Sequence, residues 1–155
     1  MLSKGLCIYN PDNNSLDFVE KIKSKYDLKI GELFDFDINM VYTPNKEINL
    51  ELIRFCFDWM NKWEIIAPFG QYNILIKDIV EKHDVEYLES IMWDLRVPCY
   101  DTRIIFLKNL PHIKEFWKIY MEETEKLHDN RIAFSVALWK IKPMILTLSN
   151  RFYKG

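Results

Sequence analysis

No stretch of this chain reaches the ~18 consecutive apolar residues that a membrane-spanning helix needs. The opening MLSKGLCIYNPDNN holds too short an apolar run for a secretory signal. A cytoplasmic protein without a membrane span is therefore expected. Cysteine is scarce: Cys7, Cys56 and Cys99 are widely spaced in apolar contexts. An odd number without CxxC spacing argues against a disulfide framework and a zinc site, and leaves buried thiols in a reducing compartment as the plain reading. Basic clusters are missing too. The nearest, KIKSKYDLK, mixes in acidic charge and suits the wet face of a helix, and the net charge is −2. Nucleic acid is thus not an expected partner. With no repeat, low-complexity tract or linker, the 155 residues read as one domain spanning 1–155.

What the chain does have is apolar and aromatic mass. Hydrophobic residues make up 49% and charged residues 28%, which sets it among globular rather than disordered chains. Five Trp and ten Phe point to a core dense in rings, or else to an aromatic-lined cleft.

Periodicity orders this material. GLCIY reads as a strand ended by the turn run NPDNN, and Leu16, Val19, Ile22 and Tyr26 predict a helix from Leu16 to Tyr26. INMVY at Ile38 to Tyr42 is a strand, and Asn49 caps a helix over LELIRFCFDWMNKW. IIAPF suits a strand, YNILIKDIV suits either a strand or a helix, and Val85 to Met92 suits a helix. Trp93 to Cys99 reads as a loop, and Arg103 to Leu107 as a buried strand. Pro111 opens a helix to Leu127 with one apolar and one charged face. Asp129 or Asn130 starts a second helix, apolar nearly all round, which Pro143 ends before the strand MILTL. Alternating strands and helices predict a three-layer α/β domain or a compact α+β one.

Three places carry possible chemistry. Asp35 and Asp37, one residue apart in LFDFDINMVY, form a DxD pair whose hard oxygens can address one Mg²⁺ or Mn²⁺. They equally suit a solvated turn before a strand. Asp129 can be a helix N-cap, or a carboxylate held at a cleft edge to orient a hydroxyl or take its proton. His128 beside it suits a base, a ligand or an idle exposed residue. Pro98-Cys99-Tyr100-Asp101-Thr102 is a polar corner feeding a strand, the kind of place where α/β sheets bind ligands, or an ordinary turn. Nothing around Cys99 marks it as a nucleophile.

Taken in order, these segments resemble a known family. VPCYDTRIIFLKN is similar to the "pxxNTGvifxrn" segment of nucleotide-diphospho-sugar glycosyltransferases of the GT-A fold. FWKIY resembles their "fxxxW" helix, HDNRIAFSVALW their "nDQxaFxxAl", and MILTLSNRFY their closing "lxxLpxxfn". The likeness runs from Val97 to Tyr153. It implies a three-layer, Rossmann-like mixed sheet flanked by helices, acting on a sugar nucleotide and a hydroxyl acceptor with Mg²⁺ or Mn²⁺. It implies Asp129 and Asp101 as catalytic residues, Thr102, Arg103 and Asn130 as substrate-binding residues, and Asp35 and Asp37 as metal ligands. The chain departs from the pattern where Asp101 and Arg103 replace the Asn and Gly of NTG, and where Asn130 replaces the Gln of DQ. Losing that Gly removes room for close ligand approach. Alternatively, ELFDFDINMVYTP resembles a later family segment, "lFdfDiamtxrp", and in that register Asp35 and Asp37 are not ligands. A non-catalytic descendant that binds or inhibits a partner protein is the alternative function.

Overall fold

Short runs rich in β-branched and aromatic residues, cut by turn residues, pair into strands in this chain. A computed structural model describes residues 6–10, 15–18, 39–42, 55–56, 58–70, 74–92 and 94–149. The strands are β1 (Leu6–Asn10), β2 (Ser15–Phe18), β3 (Met40–Tyr42), β4 (Ile65–Pro68), β5 (Ile105–Leu107) and β6 (Ile145–Leu148). They form one sheet in the order β2-β1-β3-β5-β4-β6. Every pairing is antiparallel except β4 with β6, so the sheet is mixed.

The central strands are buried on both faces, which is why they read as unbroken apolar runs. Alternation sends Met40, Tyr42, Ile65, Ala67, Ile105 and Leu107 into one core. Val41, Ile66 and Phe106 face the opposite core with Cys56, Met60 and Leu148. Helices cover the first face: α3 (Pro111–Leu127) and α4 (Asn130–Ile141). Helical residues at 55–56 and 58–59 lie on the second. The result is an α/β arrangement with helical material on both sides of a mixed sheet.

The all-round apolar pattern of α4 has a structural cause. Ala133, Phe134 and Ala137 face α3 and the sheet. Ile132 and Val136 face a third cluster built from α1 (Ile76–Ile79), α2 (Lys82–Ile91) and the segment leading to Cys99. The described part of YNILIKDIV, residues 74–80, thus resolves into a bridge from Leu75 to Pro98 followed by the single turn α1. That turn is held from outside: the amides of Ile76 and Lys77 donate to the carbonyls of Val97 and Leu95, satisfying groups a helix start leaves open. The buried carboxylate of Glu123 fastens the same region, accepting from the Tyr87 hydroxyl at 2.7 and 2.8 Å with Lys140 at 3.5 Å.

One expected element is corrected. The helix predicted from Leu16 begins as strand β2, paired with β1 from Cys7↔Phe18 to Asn10↔Ser15. Leu16 and Phe18 fit a period of two as well as Leu16 and Val19 fit a helical one, and a turn run between two strands is a hairpin signal. Pairing with β1 decides the matter. Arg103 likewise lies in a turn rather than in the strand, which starts at Ile105. Among the described residues no helix is long and apolar enough to cross a membrane.

Candidate functional site

Three segments distant in sequence meet at one edge of this framework. The first continues β4: Phe69 bridges Tyr100, the Gly70 amide donates to the Cys99 carbonyl at 2.9 Å, and the Asp101 amide donates to Pro68 at 2.9 Å. The approach is close enough that a Cβ at Gly70 would sit 3.0 Å from the Cys99 carbonyl oxygen. The second is the Cys99 to Arg103 corner entering β5. The third is the α3–α4 connection, where His128 in the left-handed region (φ 57°) reverses the chain and Asp129 caps α4. Between them lies a cleft of about 570 Å³.

Both polar corners are built the same way. Asp101 accepts from the Arg103 amide at 3.0 Å and from the Arg103 guanidinium at 2.9 Å (Nε) and 2.6 Å (a terminal nitrogen). Asp129 accepts from the Arg131 amide at 2.9 Å and from the Arg131 guanidinium at 3.3 and 3.1 Å. It also accepts from the Ile132 amide at 3.4 Å as the cap of α4. In each case an aspartate turns the chain through its own backbone and grips the guanidinium two residues on. A third copy, Asp94 with Arg96, lies on the surface outside the cleft. The D-x-R spacing was therefore the signal in the sequence for Arg131.

Asp101, Thr102, Arg103, Asn130 and Asp129 all line this cleft, with Phe69, Tyr100, His128 and Arg131 among the others. All five candidates named in the second half of the sequence thus come together from two corners. Asp101 and Thr102 are buried, whereas the Arg103 side chain is 57% exposed and Arg131 43%. Asp35 and Asp37 lie outside the described residues. Phe69 and Tyr100 form a stacked pair (centroids 5.8 Å, planes 19° apart) that makes one wall flat and apolar. The contribution of Phe69 is a tertiary one, since IIAPF gave no hint of a site, whereas Tyr100 belongs to the corner named from the sequence.

Burial and neighbours tune the groups around the cleft. The Asp129 carboxylate raises the Arg131 guanidinium further above its ordinary value. Burial pushes the Cys99 thiol up, with Arg131 opposing, so Cys99 is a protonated wall residue rather than a thiolate. Beneath Thr102 the Tyr120 phenol is fully buried, and burial pushes it well above its ordinary value. Thr102 lies near enough to pull it slightly back, but the two hydroxyls do not meet hydrogen-bond geometry, and the Tyr120 oxygen is left without a partner.

The donor set of this cleft does not fit a divalent cation. Each carboxylate already holds a guanidinium, which the ion would have to displace. The described residues also include an acidic group away from the cleft, Glu81, His83 and Asp84 at the start of α2. There His83 pairs with both carboxylates at 3.4 and 3.5 Å on an exposed surface. What the cleft can do is donate and accept hydrogen bonds from fixed positions beside an aromatic wall. No protein-family model matches the chain, and neither curated proteins nor solved structures are significantly similar to it.

Proposed function

We propose that this chain is a small, divergent glycosyltransferase-like domain of GT-A type whose cleft receives the hydroxylated part of a sugar nucleotide or its acceptor. One observation supports this reading above others: the two Asp-x-Arg corners, 101–103 and 129–131, converge on a single cleft beside the Phe69–Tyr100 stack. Fixed carboxylates and guanidiniums hydrogen-bond vicinal hydroxyls, and a flat ring covers the apolar face of a pyranose. In this reading Asp101 and Asp129 orient hydroxyls, while Thr102, Arg103 and Asn130 fix the ligand's position. Catalysis would rest on orientation and charge complementarity. The pair Asp35/Asp37, its Mg²⁺ or Mn²⁺ and the GT-A type of the fold belong to the proposal on sequence grounds alone.

A second reading is favoured by the forks themselves. Both carboxylates are occupied by guanidiniums, which suits recognition better than proton transfer and fits a non-catalytic descendant that binds a ligand or a partner protein.

Thermal melts with free sugars, and with sugar nucleotides plus Mn²⁺, test the proposal. A ligand at 100 times its Kd adds ~2.7 kcal/mol, a shift of several degrees for a chain of this size. Asp101→Asn and Arg131→Gln should each abolish that shift. Hydrolysis or transfer from a bound donor separates enzyme from binder. No shift with any sugar or donor, and an unchanged profile for Asp35→Ala, would sink the transferase reading.

A further inference from the structure

On the other side of Tyr100 lies a second depression, a slot of about 350 Å³ between α4 and the segment leading to Cys99. Its walls are apolar: Met92, Val97, Leu138 and Trp139. Besides Tyr100, whose hydroxyl is bonded to Thr147 at 3.0 Å, two polar side chains break that surface. Ser135 lies in the buried face of α4, and its oxygen has no hydrogen-bond partner, not even the carbonyl one turn back that a helical serine ordinarily uses. Lys142 sits at the exposed end, where the left-handed C-cap of α4 (φ 54°) sets its ammonium 5.4 Å from the Trp139 ring centroid. Of the described residues lining the slot, Lys142 alone is charged.

We propose that this slot binds a small aryl carboxylate with a hydroxyl at the far end of its ring, a site separate from the polar cleft. The volume lies at the lower end of the ~300–1,000 Å³ of ligand pockets, which suits one ring rather than two. The ring packs on Trp139 and Leu138, and the carboxylate pairs with the ammonium already poised over the indole. In the proposed complex Ser135 takes a staggered rotamer in which its hydroxyl, buried in the free protein, faces the ligand. There the ligand's hydroxyl supplies the partner that the free protein lacks. A cationic ligand is disfavoured by Lys142, and a purely aliphatic one leaves Ser135 as it is.

The test is titration of the full chain with para-hydroxyphenylacetate, followed by calorimetry and amide NMR. Saturable binding should shift amides of residues 135–142. Replacing the carboxylate by the neutral amide, or Lys142→Gln, should weaken binding about tenfold, the loss of one charge-assisted contact. Ser135→Ala should weaken para-hydroxyphenylacetate about fivefold, leave phenylacetate unchanged, and raise the melting temperature of the free protein, because it removes a buried unpaired hydroxyl. Both variants are conservative, and their own melts establish that they fold. The site is overturned by absence of saturable binding up to about 20 mM, far weaker than pocket ligands bind. Shifts centred on Arg103 and Arg131 overturn it too, as does affinity indifferent to both substitutions. None of these outcomes depends on whether sugars bind the neighbouring cleft.

Discussion

Cys56 shows how little a residue's type says before its surroundings are known. Burial pushes its thiol up to about 12, and Cys99, Tyr42, Tyr87 and Tyr120 are raised in the same direction by the same cause. Tyr87 is raised further by its hydrogen bond to Glu123 and by that carboxylate's charge. For groups that are neutral when protonated, a raised folded value means that the unfolded chain releases its protons first. The stability that these groups contribute is fully present below about pH 8.5, the ordinary thiol value, and falls as pH climbs toward the folded values. Chemical denaturation between neutral and strongly alkaline pH should trace that decline, and Cys56→Ala should flatten it. In a Cys7→Ala background a disulfide reagent at mild alkaline pH should label Cys56 and Cys99 only as fast as the chain unfolds; rapid labelling of the native protein would contradict the burial. Tyr120 offers a second check. Because its hydroxyl is buried without a partner, Tyr120→Phe should leave stability unchanged or raise it by about 1 kcal/mol, against the loss expected had the hydroxyl been bonded.

Elements here are set by their ends as much as by their faces. Pro111 opens α3, and left-handed His128 and Lys142 close α3 and α4, a conformation that costs a non-glycine residue about 1–2 kcal/mol and so must be held by its surroundings. The His128 amide donates to Thr124 and the Lys142 amide to Leu138, which recovers part of that cost. The reversal at His128 is what delivers Asp129 to the head of α4. Asp129→Ala should therefore cost about 1 kcal/mol in urea unfolding, whereas Asp129→Asn should retain most of the cap, since asparagine serves there nearly as well. If the two substitutions cost the same, the cap is not the main role of this carboxylate. Both ends of α3 and the start of α4 were legible, because proline, aspartate and the change of apolar periodicity mark them directly. The strand at Ser15–Phe18 was not, because four residues satisfy two periods and only pairing with β1 separates them.

At the scale of the whole molecule, α4 is the element on which the others depend. Phe134 meets Tyr100, Phe116 and Tyr120 at centroid distances of 5.3, 5.4 and 5.7 Å, so it touches α3, the cleft corner and the core over the sheet together. Phe134→Ala should cost about 3–5 kcal/mol, near the stability limit of a small domain, and calorimetry should show a lower or lost transition. A loss below about 1 kcal/mol would mean that this core is looser than its packing indicates. The sequence by itself determined the local terms: that the run ending at Leu107 is a buried strand, where α3 and α4 begin, and that Asp101 and Asp129 stand at polar corners. Those follow from side-chain periodicity and backbone chemistry within a few residues. Only the tertiary structure decided that the two corners share one cleft, that Arg131 and the Phe69–Tyr100 stack belong to it, and that Ser135 is stranded beside an apolar slot. Each of these depends on contacts between residues far apart in the chain, and no local pattern encodes the distance between them.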